Sequence, residues 1–416
     1  MAVADETEVV AVIASGTALA AAAWRCWDAG HAVLPVNPAF TPSETGALLA
    51  RLRPTHVCHG PLGAIGAATA HAGGVPAPAG TAAIVVTSGT EGRPKGVELT
   101  RAGMETMGRG YSTGLDAGPD DRWLACLPLH HVASLGALAR AYVTGVPYTV
   151  HDGFDLERVA RSPREEGTTI VSLVPTAMRR LLDAGAPLHE FRRVITGGAP
   201  CPPALRARAQ AVGVAVVDAY GLSETWGGFA LDGVPIEGAQ ACLAELDDDT
   251  HHSGEIGGGG HGYAGEILVR GAMVMRGYRL DAIRTAAAFD GDGWLRTGDV
   301  GSIDTSGRVQ VVDRVKDLVI SGGVNVSPTE VESVLTHHPD IHDVCVAGVP
   351  DDEWGELVVA FVVPRPGARS VSLDAIREFG RERLSGPKLP RAVRIVDSIP
   401  RTASGKPLRR LLRETS

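Results

Sequence analysis

Thr87-Ser88-Gly89-Thr90-Glu91-Gly92-Arg93-Pro94-Lys95-Gly96 is a hydroxyl-rich turn with three glycines and a lysine. It follows Ala82-Ala83-Ile84-Val85-Val86, an apolar run bounded by Gly80, which reads as a buried strand running into a loop. Gly89, Gly92 and Gly96 allow close backbone approach, Thr87, Ser88 and Thr90 carry hydroxyls, and Lys95 adds a long cationic arm. Such a loop suits the phosphates of a nucleotide. The spacing is not that of the P-loop of ATPases, in which glycine precedes Lys and then Ser or Thr. A flexible surface turn is the alternative that this segment alone leaves open.

The surrounding chain has 416 residues, 44% of them hydrophobic and 21% charged, which is enough for two or three globular domains. Lys and Arg number 39 against 48 Asp and Glu, giving a net charge of −9. That balance speaks against broad attraction to nucleic acid or to an anionic membrane. Val9 to Trp24 is apolar, but it contains Ser15, Gly16 and Thr17 and is short for a membrane span, so it is expected to form a buried strand and helix. Asp5, Glu6 and Glu8 oppose the positive start of a secretion signal. The six cysteines are scattered without C-x-x-C spacing, so cytoplasm is the expected compartment and small core residues the expected thiol role.

Short apolar runs at His31–Val36, Ala83–Val86, Thr169–Leu173 and Val214–Val217 stand beside helical patterns, predicting an α/β fold with a largely parallel sheet. Past about residue 235 the runs shorten, and Gly265–Gly271 and Val309–Val312 predict strands of a smaller β-rich layer. His251, His252 and His261 lie among glycines without ordered ligand spacing and read as a loop. A boundary is expected at 314–317, after an N-terminal domain of residues 1–313. Residues 318–416 would then form a small mobile α+β domain, with helices from Glu330 and Asp374 and strands at Val344–Val349 and Leu357–Val363.

Six separated segments point the same way. They are the loop at 87–96, Gly197-Gly198-Ala199-Pro200, Tyr220-Gly221-Leu222-Ser223-Glu224-Thr225, Thr297-Gly298-Asp299, Arg314 through Asn325, and Arg401-Thr402-Ala403-Ser404-Gly405-Lys406. In this order they resemble the adenylate-forming acyl-CoA synthetase family, from about Val9 to Arg410. The resemblance implies a large N-terminal adenylation domain and a small rotating C-terminal domain, with ATP, Mg²⁺ and coenzyme A as cofactors and a small-molecule carboxylic acid as substrate. The N-terminal region is shorter than in many members.

Carried over residue by residue, the resemblance assigns Thr87, Ser88, Gly89, Thr90 and Lys95 to the ATP phosphates, while Glu91 departs from the family's usual hydroxyl-bearing residue. Gly198, Ala199, Tyr220 and Gly221 would flank adenine, Ser223 would meet phosphate, and Glu224 would hold Mg²⁺. Asp299 would accept from the ribose hydroxyls, Arg314 would add directional donors at the ribose or phosphate edge, and Lys316 would mark the hinge. Gly322 and Gly323 would support a loop that enters the site in a second conformation. Lys406 would be the adenylation residue, and His131 would adjust between the two half-reactions, with His130 in a position often held by an apolar aromatic. Val132–Gly136 and Val174-Pro175-Thr176 are expected along the acyl pocket. The expected reaction is acyl-adenylate formation followed by thioester formation with coenzyme A. Transfer to a carrier-protein thiol or an amine, and a nucleotide-binding module without turnover, are the alternatives.

Overall fold

A computed structural model describes residues 6–60, 68–87, 94–245, 265–322, 324–368, 371–401 and 407–414. The chain divides into two compact units, Met1–Gln240 with Val269–Leu295, and Ala241–Leu268 with Arg296–Ser416.

The first unit holds two seven-stranded sheets. One runs in the order Gly277–Tyr278, Lys95–Thr100, Thr81–Thr87, Ala32–Val36, Val9–Ile13, His56–His59 and Thr69–Ala70. The strands Thr81–Thr87, Ala32–Val36, Val9–Ile13 and His56–His59 run parallel, and both faces of Ala32–Val36 are buried, which is why it reads as an unbroken apolar run rather than an alternating one. Val9, Leu34, Leu52 and Ile84 share one apolar cluster, so the Val9–Trp24 segment is indeed a buried strand, Val9–Ile13, leading into the helix Gly16–Asp28. The helix Pro42–Leu52 is fixed at its start by Thr41, whose hydroxyl accepts from the Glu44 amide while the Glu44 carboxylate accepts from the Thr41 amide.

The second sheet runs Tyr148–Val150, Trp123–Ala125, Ile170–Leu173, Arg193–Thr196, Val216–Tyr220, Ala230–Leu231 and Val234–Pro235. Its first five strands are parallel, and the last two turn back antiparallel. Val171, Leu173, Val194 and Phe191 are buried in its cluster. The helix Arg101–Gly114 packs on Val132–Thr144, which ends where Gly145 takes φ +72°.

Largely in the second unit, Gln240–Ala244, Gly265–Arg270, Leu295–Ile303 and Val309–Arg314 make a four-stranded sheet, the β-rich layer expected from sequence. The C-terminal sheet orders Val324–Val326, Val319–Ser321, Gly355–Pro364 and Ile341–Asp351, with Ala392–Ile395 alongside Gly355–Pro364. The helices Pro328–Leu335 and Leu373–Gly380 contribute Val331, Leu335 and Ile376 to its apolar cluster. Among the described residues no helix is long and apolar enough to cross a membrane.

Candidate active site

Thr81–Thr87 and Lys95–Thr100 pair antiparallel, and their register sets Thr87 directly opposite Lys95. The two residues therefore stand at the mouth of a hairpin whose connection is the glycine- and hydroxyl-rich segment. Ser88, Gly89, Thr90 and Glu91 lie outside the described residues. Lys95 Nζ sits 4.6 Å from the ring centroid of Tyr278. The Tyr278 hydroxyl in turn donates to Glu224 Oε1 at 2.9 Å, so one aromatic ring links the lysine to the carboxylate. Burial, and after it the Glu224 carboxylate, raises the Tyr278 phenol above its ordinary value, which keeps it protonated and donating.

Tyr278 was not among the residues expected from sequence. Gly277–Tyr278 is a two-residue strand pairing with Val97 and Glu98, too short to announce itself by periodicity. Next to it, Arg279 is buried and ion-paired with Glu98 at 3.1 Å, and its Nε donates to the Leu52 carbonyl at 2.5 Å. This clamp holds the tyrosine strand against the hairpin.

Ser223 and Glu224 occupy the single 3-10 turn Ser223–Thr225. Thr225 braces it, its hydroxyl accepting from the Leu222 amide at 2.9 Å, and the Glu224 carbonyl accepts from the Met275 amide at 2.7 Å. Only one Glu224 carboxylate oxygen is used by Tyr278, and the residue is half-buried. That donor set fits Mg²⁺, which keeps several waters and takes one or two carboxylates beside substrate phosphates. Among the described residues there is no cluster of three or more His, Cys, Asp or Glu that would make a closed metal cage.

Tyr220, at the end of Val216–Tyr220, is half-buried and meets Phe229 edge to face at 5.8 Å. Gly221 has a structural reason of its own, since a Cβ there would lie 2.6 Å from the backbone of Gly227 and Gly228. Gly198 is exposed with φ +77°, and Ala199 follows half-buried. Gly198 and Gly221 both line a cavity of about 40 Å³, together with Ala133 and Val174 from the segments expected along the acyl pocket.

His131 is the N-cap residue of the helix Val132–Thr144, and its ring lies 4.5 Å from that of His130. Burial, with His131 adding to it, pushes His130 down to about 4. Burial also lowers His131, although part of that residue remains exposed.

In the second unit, strand register places Asp299 opposite Arg314, and Arg314 Nε meets Asp299 Oδ1 at 2.5 Å. Asp299 is only 3% exposed, while the Arg314 side chain keeps 35% of its surface exposed, so the carboxylate is buried and its partner opens to solvent. Thr297 anchors the turn, its hydroxyl donating to the Ile267 carbonyl at 2.6 Å and accepting from the Asp299 amide at 3.0 Å. Lys316 is exposed in the 3-10 turn Val315–Asp317. Gly322 takes φ +60°, and a Cβ there would lie 2.8 Å from the Trp354 ring. Gly323 and Lys406 lie outside the described residues, as do His251, His252 and His261.

The family model described as AMP-binding enzyme matches residues 61–279, and that of the AMP-binding enzyme C-terminal domain matches 330–406. The chain belongs to the AMP-binding enzyme family, whose chemistry is ATP-dependent formation of acyl-adenylates. It is 36% identical over 342 residues to a 2-succinylbenzoate–CoA ligase of Bacillus pumilus, spanning 78% of this chain and 67% of that protein. It is also 36% identical over 338 residues to the long-chain-fatty-acid–CoA ligase FadD13 of Mycobacterium tuberculosis, spanning 80% and 67%. Among solved structures, the o-succinylbenzoate CoA synthetase of Bacillus subtilis with its acyl-adenylate OSB-AMP superposes with a TM-score of 0.80 at 27% identity, covering 99% of this chain and 89% of that one. The two-domain adenylate-forming fold expected from sequence is thus the fold of this chain.

Proposed function

We propose that this chain activates a carboxylic acid with ATP and then passes the acyl group to the thiol of coenzyme A. The observation that carries the reading is the Lys95–Tyr278–Glu224 link at the hairpin mouth, which puts a cation and a metal-competent carboxylate on one ring. Thr87 and Lys95, with Ser88, Gly89 and Thr90, orient the triphosphate, and Ser223 adds a hydroxyl. Mg²⁺ held by Glu224 supplies neutralisation of phosphate charge. Tyr220 packs on adenine beside Gly198, Ala199 and Gly221, while Asp299, aligned by Arg314, accepts from the ribose hydroxyls.

In the first half-reaction a carboxylate oxygen attacks the α-phosphorus, the bond to the bridging oxygen breaks, and pyrophosphate leaves with its electron pair. Lys406 stabilises the charge that develops there. In the second, residues 318–416 turn about 314–317, bringing Gly322 and Gly323 toward the site, and His131 changes its contacts. The thiol sulfur attacks the acyl carbon, AMP leaves, and the thiol proton goes to solvent. The free thiols of the chain suit a reducing compartment, so the cytoplasm is the proposed location.

The test is a carboxylate library, including 2-succinylbenzoate and long-chain fatty acids, assayed for pyrophosphate release and then by mass spectrometry for acyl-CoA. Pyrophosphate and a CoA thioester from the same acid are expected. Acyl-adenylate that accumulates in the presence of coenzyme A would instead assign the acyl group to a carrier thiol or an amine. No pyrophosphate from any acid would overturn the activity itself.

A further inference from the structure

Arg140 lies on the helix Val132–Thr144, otherwise apolar through this stretch, and is 3% exposed. Its guanidinium is stacked between two rings, 4.7 Å from the Tyr111 centroid and 4.8 Å from that of Trp123. Its polar contacts are thin: Nη1 reaches Met107 Sδ at 3.8 Å and Nη2 reaches Ser172 Oγ at 3.4 Å. Nε has no partner, and neither does the buried Tyr111 hydroxyl. Among the described residues no carboxylate pairs with this arginine.

Burial pushes the Arg140 guanidinium down to about 10, with Tyr111 acting weakly the other way, so it is still a cation at neutral pH. A buried cation without a counter-ion is costly, and two aromatic faces offset only part of that cost. If packing were the only requirement, Met or Leu would fill the same space more cheaply. The geometry therefore calls for an anion that arrives from outside.

Arg140 lines the cavity of about 40 Å³, together with Tyr111, Ser172, Gly198 and Gly221. A single water needs only roughly 10–15 Å³ of such space, so the cavity takes a polar group of a few atoms and not an alkyl chain. Resting on the proposed carboxylate activation, we propose that Arg140 and Tyr111 receive a second carboxylate of the substrate, so that the acid activated is a dicarboxylic acid. One carboxylate is adenylated while the other occupies the Arg140 subsite. An acid ending in methyl would leave the cation buried and unpaired, and a site built around a polar partner rejects such analogues strongly.

The experiment uses the full chain. Succinate, glutarate, adipate, phthalate and 2-succinylbenzoate are each compared in pyrophosphate release with the analogue in which one carboxylate becomes methyl and with the half-amide. At least one diacid is expected to exceed both analogues by 10²-fold or more in kcat/KM. Arg140→Met should lower that ratio by about 10²-fold or more, mainly through KM, and Arg140→Lys should recover part of it. The melting temperature of Arg140→Met without substrate should equal or exceed that of the parent, because the unpaired charge is gone. A lower melting temperature with all acids losing rate in parallel would make Arg140 a packing residue and overturn the proposal. So would a half-amide as good as its diacid, or monocarboxylates preferred by the parent chain, results that leave the adenylation reading standing. Isothermal calorimetry separates the two readings without turnover: the preferred diacid should bind the parent and not Arg140→Met, and no binding of any diacid would overturn the subsite.

Discussion

Tyr278 shows what a single ring can do between two charges. Its face takes the Lys95 ammonium and its hydroxyl satisfies one oxygen of Glu224, so a lysine and a carboxylate are held near one another without an ion pair that would neutralise both. Tyr278→Phe keeps the face and removes the hydrogen bond. Loss of a bond to a charged group should lower kcat/KM for ATP by about 10-fold, with little change in the KM for the acid, measured by pyrophosphate release at varied Mg²⁺. Equal losses toward ATP and acid would place the hydroxyl outside the nucleotide site. His130 gives a second residue-scale test. Its folded value is about 4 against about 6.5 in an unfolded chain, so the unfolded state binds more protons between those values. Stability is therefore present above about pH 6.5 and is lost as pH falls toward about 4. Thermal melts across that range should fall more steeply for the parent than for His130→Gln, which cannot titrate.

At this scale the sequence was informative where chemistry and spacing coincide. Thr87 and Lys95 were expected at one loop, and strand register puts them face to face. Asp299 and Arg314 were expected separately, and the same pairing rule joins them across neighbouring strands. Tyr278 and Arg140 were missed for opposite reasons. The first sits in a two-residue strand with no period to read, and the second is an isolated cation in an apolar helix, where only the missing counter-ion reveals its use.

Among elements, the short helix Arg409–Glu414 is tied to its unit by the polar contacts of Arg409, beside Leu412, which is buried in an apolar cluster with Cys345 and Phe361. Arg409 Nη2 binds both oxygens of Glu332 at 2.8 and 2.9 Å, and its Nε donates to the Val346 carbonyl at 2.9 Å. Glu332 also accepts from the Val346 amide at 2.7 Å, so the helix Pro328–Leu335, the strand Ile341–Asp351 and the terminal helix share one buried junction. The elements themselves were readable from capping and apolar runs: Ser327 caps the helix from Pro328, and the strand carries the continuous apolar run Val344–Val349, buried on both faces. Their tie was not readable, because Arg409 stands in a basic cluster with Arg410 and Arg413 that reads as a solvated face. Arg409→Met strands a buried carboxylate and should cost about 3–5 kcal/mol by chemical denaturation. Adding Glu332→Met should return much of it, since replacing both partners with apolar groups is often neutral. A double variant no more stable than the single would show that the junction is not a coupled pair.

For the whole molecule, the proposed chemistry divides between the ends of the chain. The hairpin mouth near Lys95 and the turn at Glu224 belong to the first compact unit, and Lys406, three residues before the Arg409 anchor, belongs to the sequence of the second. If Lys406 acts only when pyrophosphate leaves, its removal should impair one half-reaction and spare the other. Lys406→Ala should slow pyrophosphate release by about 10²- to 10³-fold, the roughly 3–4 kcal/mol carried by one preorganised charge at the transition state. Thioester formation from supplied acyl-adenylate should continue at close to the parent rate. The exposed Lys316 allows the complementary experiment, because Lys316→Pro restricts the backbone of residues 315 and 316 without removing a packed side chain. A chain that must turn about residues 314–317 between its two steps should keep the step done in its resting arrangement and lose the other by about tenfold or more. Single-turnover measurements of both steps decide it: opposite profiles for Lys406→Ala and Lys316→Pro require two arrangements of one site, and identical profiles would leave a single fixed arrangement to perform both.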